Sequence, residues 1–411
     1  MASIRQLVIL AGGKGTRLGE HTRHVPKPLM AISQDSVFLD YIIDNAARQG
    51  FNDIMIVAGH FGEQIHTRYH HARFREANVS VFIEPEPRGT GGALTFIADY
   101  LADEFLVTNG DTFFDINLRA VAAKLEADNG LDAVMALREV EDVGRYGSVE
   151  VDADSRILRF CEKDESRLGL AGTINGGTYA LRRRVLDLIE GYPVSIETDL
   201  FPRLTARRTI ATVASHGYFI DIGLPETLSL ARSVMPRRRR PVLFLDRDGV
   251  LNHDIDYLYA RADWRWIDGA VAAIRAANDA GVAVVVVTNQ AGIGRGKYAE
   301  SDLAALHSWL NEELHTQGAF IDAFYFSPYH PAAAHAPYRV VSPFDRKPSP
   351  VMLQRAAHQH KLDMGRALFV GDQNSDEEAA TGAGVAFCRY SGGDLHKLIT
   401  GTSAWGGMVK A

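Results

Sequence analysis

Apolar positions along this chain come in short runs. Residues 7–10 form one that passes directly into Ala11-Gly12-Gly13. Runs at 54–58, 79–83, 105–108 and 133–137 read as strands, and helical periodicity between them predicts helices over 38–49 and 92–101. A second series opens at 243–245 and continues through 282–287, 323–326 and 367–370. The run 282–287 is nearly all β-branched and ends in Thr288-Asn289-Gln290, the pattern of a parallel strand buried on both faces. Strands alternating with helices predict an α/β fold in each half: a mostly parallel sheet covered by helices, with ligands at the carboxyl ends of the strands.

Length divides the picture in two. A single core stops growing near roughly 250–300 residues, so 411 residues predict two domains. Both series start alike, with an apolar strand running into a polar, glycine-containing turn at 7–17 and again at 242–250. Just before the second start lies Pro236-Arg237-Arg238-Arg239-Arg240-Pro241. The expected division is 1–234, a solvated Arg/Pro linker at 235–241, and 242–411.

Charge narrows the partners. Lys plus Arg number 44 against 51 Asp plus Glu, for a net charge of −7, which supplies no basic field for nucleic acid or anionic lipid. Anionic small molecules must then be held locally. No run reaches the roughly 18 apolar residues of a membrane span. The start of the chain leads into a glycine turn rather than a cleavage site, so neither membrane nor nucleic acid is expected as a partner. Two cysteines, Cys161 and Cys388, cannot build a disulfide framework or a four-cysteine zinc site, and a cytoplasmic location fits them.

The first half carries Gly12-Gly13-Lys14-Gly15-Thr16-Arg17 after its first strand, where backbone N–H groups can form a nest for phosphate oxygens. Alone the loop matches neither the dinucleotide fingerprint nor the P-loop, and reads equally as a surface turn. It is accompanied by Pro26-Lys27-Pro28, Arg88-Gly89-Thr90-Gly91-Gly92, Asn109-Gly110-Asp111 and Phe219-Ile220-Asp221. Together these motifs resemble the sugar 1-phosphate nucleotidyltransferases across about residues 4 to 234. The resemblance implies a Rossmann-like, GT-A-like domain with a mixed, mostly parallel sheet. It implies Gly12, Gly13, Gly15, Thr16 and Arg17 on the triphosphate, and Lys27 between the α-phosphate and the sugar phosphate. Asp111 and Asp221 would hold Mg²⁺. Glu84, Gly89, Gly91 and Gly92 would lie beside the base and ribose. Gly147, Glu162, Lys163, Asn175 and Glu197 would face the sugar phosphate.

The second half places Asp246 and Asp248 two residues apart where an apolar strand ends, and Gly249 allows a turn there. Such a pair can divide labour between attack on phosphorus and proton transfer, although a carboxylate pair in a solvated loop is as common. Thr288-Asn289, Arg346-Lys347-Pro348 and Gly371-Asp372 with Asp376 complete a set that resembles the haloacid dehalogenase superfamily of phosphatases. More narrowly, Asp248-Gly249-Val250-Leu251-Asn252 and Thr288-Asn289-Gln290-Ala291-Gly292-Ile293-Gly294-Arg295 resemble the D-glycero-D-manno-heptose 1,7-bisphosphate 7-phosphatases. The resemblance implies a Rossmannoid domain, Asp246 as nucleophile, Asp248 as general acid and base, and Thr288 and Lys347 on the phosphoryl group. Asp246, Asp372 and the Asp248 carbonyl would hold Mg²⁺. Asn289, Arg295 and Arg346 would meet the substrate, the two arginines gripping the uncleaved phosphate. The family's zinc loop has three cysteines and a histidine, whereas the corresponding stretch from Ser327 to Asp345 has no cysteine, which argues against zinc. His330, His335 and Asp345 are the residual candidates there.

The joint expectation is a bifunctional enzyme. It would take heptose 1,7-bisphosphate to heptose 1-phosphate, then use a nucleoside triphosphate, GTP first, to make a nucleotide-heptose for lipopolysaccharide, capsule or another surface glycan. Two alternatives stand beside it. One is a mannose or N-acetylmuramate 1-phosphate transferase fused to a phosphatase of another sugar phosphate. The other is a sugar-nucleotide sensor with one inactive domain. Oligomeric state is left open.

Overall fold

The computed structural model describes residues 3–13, 15–143, 148–161 and 168–409. The chain separates into two compact units, Met1–Arg237 and Arg238–Ala411.

In the first unit the strand Gln6–Ala11 lies between Asp53–Ala58 and Glu104–Asn109, parallel to both. Ala77–Ile83 extends the parallel series beyond Asp53–Ala58. On the other side, Gly172–Arg182 runs antiparallel to Glu104–Asn109 and to Ala133–Val140, and Ile210–Ser215 closes that flank parallel to Ala133–Val140. The sheet is thus mixed and mostly parallel. Its central strands are apolar throughout because both faces are covered. Leu7, Ile9, Ile54 and Ile56 enter one core cluster, and Val8, Met55 and Val57 enter the other, as the two-residue alternation of a strand requires.

The second unit is a five-stranded parallel sheet in the order Ala323–Ser327, Ala283–Asn289, Arg240–Leu245, Leu362–Gly371, Ala386–Arg389. Its first strand in sequence is central. Leu243 and Leu245 pack on one face, Val242 and Phe244 on the other.

Two local expectations change. The helix expected over 92–101 begins earlier, as Gly89–Phe96, and gives way to a 3-10 turn at Ala98–Tyr100. The stretch 235–241 is not a free connector. Met235–Arg237 forms a 3-10 turn, and the central strand already starts at Arg240, whose guanidinium pairs with the buried Asp322 carboxylate at 2.9 Å. Pro241, lacking an N–H, sits where the ladder to Leu362–Gly371 shifts register. Run composition alone could not distinguish an arginine bound for a buried acid from a solvated one.

Candidate active sites

In the first unit, register decides which loops meet. Ala11 pairs with Ala58, Ala58 with Ile83, and Leu10 with Asn109, so the segments after these four strands leave the sheet at one edge. There Gly12, Gly13, Glu84, Gly89, Asp111 and Glu197 line a cavity of about 630 Å³. Gly89 has φ of +75°, and a Cβ on it would stand 2.4 Å from the Val194 carbonyl oxygen, so a side chain there would displace the turn. Gly91 N–H donates to that same oxygen at 2.8 Å. Gly91 and Gly92 are buried in the first turns of the Gly89–Phe96 helix, while Gly15 and Thr16 open the 3-10 helix Thr16–Thr22. Burial raises the Glu84 carboxyl above its ordinary range, against the opposing Arg88, and its Oε1 has no hydrogen-bond partner among the described residues.

A second cluster is assembled by a small antiparallel pairing of Thr112–Phe114 with Phe219–Asp221, which sets Thr112 opposite Asp221. The buried Lys27 donates from Nζ to Asp111 Oδ2 at 2.6 Å and stands 4.0 Å from Asp221 Oδ2. The Thr112 hydroxyl lies 3.2 Å from both Asp111 Oδ1 and Asp221 Oδ2. A Cβ on Gly223 would come within 3.3 Å of Lys27 Nζ and 3.4 Å of Arg17 Nη2, which places Arg17 in the same group. Two carboxylates bridged by one hydroxyl and flanked by two cations form a donor set suited to Mg²⁺ with phosphate oxygens, since that ion takes few carboxylates and keeps room for substrate and water.

Among the residues expected to face the sugar phosphate, Asn175 Nδ2 donates to the Tyr179 hydroxyl at 2.8 Å, and that hydroxyl donates to Glu197 Oε1 at 3.0 Å. Burial, reinforced by Glu197, holds the Tyr179 phenol well above its usual pKa, so it stays a donor. Asn175 is thereby tied to the cavity wall through Tyr179. Lys14, Gly147, Glu162 and Lys163 lie outside the described residues. Sequence reasoning overlooked Thr112 and Tyr179. The adjacency of Thr112 to Asp111 was a usable signal, whereas Tyr179 became legible only through its partners.

In the second unit, Leu245 pairs with Val286 and Val370, so Asp246, Thr288 and Asp372 reach the same carboxyl edge. They line a cavity of about 260 Å³ together with Asp248, Asn289, Gln290, Lys347 and Asp376. Lys347, buried, holds Asp246 Oδ1 and Asp376 Oδ1 at 2.7 Å each, and its Nζ also donates to the Val287 carbonyl at 2.9 Å. Burial pushes the Asp246 carboxyl up to about 7, with Lys347 opposing and Asp376 reinforcing. For Lys347 burial acts downward, but the two carboxylates outweigh it and raise its pKa, so the ammonium persists.

Asp246, Asp372 and Asp376 offer oxygens that all lie within 4.8 Å of one another. Asp372 Oδ1 is buried with no hydrogen-bond partner among the described residues, an orphan oxygen suited to a cation. Gly249, at φ of +84°, sits so near that a Cβ would meet Asp372 Oδ2 at 2.6 Å. Mg²⁺ fits here. Asp376 joins the expected Asp246 and Asp372 carboxylates. The side chain of Asp248, expected to reach the ion through its carbonyl, is turned onto Arg247, whose Nε and Nη2 donate to Asp248 Oδ1 at 3.0 and 2.8 Å.

Asn289, expected on the substrate, has its carboxamide in reciprocal bonds with the main chain of Lys347, Nδ2 to the carbonyl and N–H to Oδ1, each at 3.1 Å. It anchors the lysine. Thr288 Oγ1 accepts from Gln290 Nε2 at 2.9 Å. Arg295 donates to the Tyr257 hydroxyl at 2.6 Å and lies 3.2 Å from His330 Nε2, while Arg346 donates to the Tyr329 carbonyl at 3.2 Å. Burial and the nearby Arg295 lower the pKa of Arg346. Two guanidinium groups close enough to perturb one another are a ready anion site. In the loop from Ser327 to Asp345, the Ser327 hydroxyl donates to the buried Asp345 Oδ1 at 3.1 Å. His330 instead accepts the Ala332 N–H through Nδ1.

Among the described residues no helix is long and apolar enough to cross a membrane. The Nucleotidyl transferase family model matches residues 6–235, more than half of the chain, and the HAD-hydrolase-like model matches 344–398. The chain is 45% identical over 161 residues to a D-glycero-beta-D-manno-heptose-1,7-bisphosphate 7-phosphatase of Rhodopseudomonas palustris, covering 39% of this chain and 89% of that protein. To a D-glycero-alpha-D-manno-heptose-1,7-bisphosphate 7-phosphatase of Burkholderia mallei it is 46% identical over 143 residues, covering 35% and 75%. To a D-glycero-alpha-D-manno-heptose 1-phosphate guanylyltransferase of Campylobacter jejuni it is 36% identical over 225 residues, covering 54% and 96%. With the lysine-bridged carboxylates of each unit in place, the chain belongs to the nucleotidyl transferase family through its first unit and to the HAD-like phosphatases through its second.

Proposed function

We propose that this chain carries out two consecutive steps: removal of the C7 phosphate from D-glycero-D-manno-heptose 1,7-bisphosphate, and transfer of GMP from GTP to the resulting heptose 1-phosphate. The observation that carries the reading is that one polypeptide joins likeness to a phosphatase whose product is a heptose 1-phosphate with likeness to a guanylyltransferase that consumes one. The two steps link only if the anomers agree. The guanylyltransferase relative bears the α anomer in its name, as does one phosphatase relative, so the α bisphosphate is the substrate consistent with both halves.

In the second unit, Asp246 attacks phosphorus. Its carboxylate oxygen forms the new P–O bond while the sugar C7 oxygen leaves with a proton from Asp248. Asp248 then takes a proton from water, whose oxygen attacks phosphorus, frees inorganic phosphate and restores Asp246. Lys347 and Thr288 neutralise and orient the phosphoryl oxygens, and Arg295 with Arg346 holds the C1 phosphate. In the first unit, the oxygen of the sugar phosphate attacks the α-phosphorus of GTP and pyrophosphate departs. Such chemistry needs alignment and charge neutralisation more than covalent help. Lys27 and Arg17 supply cations there, the glycine turns hold phosphates, and Glu197 with Asn175 faces the sugar. Mg²⁺, held by Asp111 and Asp221 in one unit and by Asp246, Asp372 and the Asp248 carbonyl in the other, would add neutralisation of the crowded phosphate oxygens.

The test is incubation of the purified chain with Mg²⁺ and each anomer of the bisphosphate, adding each nucleoside triphosphate in turn. The expected result is phosphate without nucleotide, and GDP-heptose plus pyrophosphate once GTP is present. Phosphate release with no nucleotide-sugar from any triphosphate would overturn the two-step reading.

A further inference from the structure

We propose that Arg247 is a positioning residue of the phosphatase, holding the Asp248 carboxylate and fastening it to the segment that walls the substrate cavity. The proposal rests on the reading of Asp248 as general acid and base.

Arg247 lies between the two aspartates and is fully buried. A buried guanidinium is costly unless paired, and the carboxylate it pairs with is Asp248. Nε and Nη2 both reach Asp248 Oδ1, and Nη2 also reaches Oδ2 at 2.8 Å, a fork that fixes the plane of the carboxylate. The same Nη2 donates to the Leu258 carbonyl at 2.9 Å. Leu258 directly follows Asp254, Ile255, Asp256 and Tyr257, all of which line the cavity.

The rest of the grip comes from elsewhere in the fold. Asn252 Nδ2 donates to Asp248 Oδ1 at 3.0 Å, and Gln290 Nε2 donates to Oδ2 at 2.9 Å. Gln290 is itself oriented by the Tyr298 hydroxyl, which donates to its Oε1. Gln290 therefore links Asp248 to Thr288, and Arg247 links Asp248 to the cavity wall. A carboxylate held on three sides can deliver its proton only from the place these groups set, and a misplacement of about 1 Å can cost on the order of 100-fold.

Proton delivery matters for an alkyl leaving group and little for an activated aryl one. The experiment compares Arg247→Lys, Tyr298→Phe and Asp248→Asn in the full chain with Mg²⁺ by the single-turnover rate of leaving-group release, which precedes the water attack that also uses Asp248, on heptose 1,7-bisphosphate and on p-nitrophenyl phosphate, with melting temperatures alongside. Arg247→Lys keeps the cation but not the fork. It should lose on the order of 10- to 100-fold in that rate on the sugar bisphosphate, yet stay within about twofold on the aryl ester. Tyr298→Phe frees Gln290 without stranding a buried charge and should shift the same ratio in the same direction. Equal losses on both substrates in both variants would overturn the positioning role while leaving the acid assignment intact. If Asp248→Asn itself lost equally on both substrates, the acid reading would fall, and the proposal with it.

Discussion

Lys347 Nζ sits 2.7 Å from Asp376 Oδ1, and that aspartate is entirely buried beneath the phosphatase cavity. The contact sets the electrostatics of the site. One ammonium serves two carboxylates, Asp246 and Asp376, so Asp246 does not take the whole of its charge. Asp376→Asn keeps the shape and removes that sharing. Phosphate release should fall on the order of 100-fold, in line with loss of a preorganised charge, while pyrophosphate release from added heptose 1-phosphate and GTP stays unchanged. Parallel phosphate and pyrophosphate assays check this.

Asp246→Asn removes the oxygen proposed to attack phosphorus. Phosphate release should disappear and guanylyl transfer to added heptose 1-phosphate should persist. Loss of both activities would mean that the two halves depend on each other.

Glu84 bears on the choice of base. A half-buried carboxyl in the cavity proposed for the nucleotide, with an oxygen unpaired among the described residues, can accept from adjacent N–H donors. Guanine offers such a pair at N1 and N2, whereas uracil, thymine and adenine do not. Glu84→Gln should lower kcat/KM for GTP by about 10- to 100-fold and narrow its lead over other triphosphates, because a site built to hydrogen-bond one edge discriminates through the groups left unpaired. Competition between triphosphates for a limiting sugar phosphate measures the ratio.

His307 predicts a pH dependence of stability in the second unit. It is buried, stacked on Phe324 with ring centroids 4.1 Å apart, and burial together with Arg247 lowers its pKa to about 3. In the unfolded chain it titrates near the ordinary value of 6.5. Below 6.5 the unfolded state binds a proton that the folded state refuses, so stability falls as pH drops toward 3, by at most about 1.4 kcal/mol per pH unit. All four tryptophans, at 264, 266, 309 and 405, lie in this unit, so their fluorescence reports on it alone. Urea unfolding at pH 7.5 and 5.0 should show a smaller pH effect in His307→Leu than in the parent.

The sequence itself determined what local pattern can carry. Strand runs ending in Gly12, Asp111, Asp246 and Asp372 announced two mostly parallel sheets with polar turns at their edges, because a strand covered on both faces is apolar along its length and its ligand-binding residues come where the run stops. Lys27 and Asp221 were nameable because each lies in a short motif of distinctive composition.

Tertiary structure decided what depends on partners distant along the chain. Only the pairing of Thr112–Phe114 with Phe219–Asp221 puts Asp221 beside Asp111. Only the packing around Lys347 shows that Asn289 anchors its backbone and that Asp376 shares its charge. In the same way, Arg240 left the expected linker for the buried Asp322, and the Asp248 side chain took the adjacent Arg247 as its partner. Hydrophobic periodicity is written into neighbouring residues. Which buried ion pairs with which is set by desolvation in the assembled core, where a charge must take whatever partner the topology brings within about 3 Å.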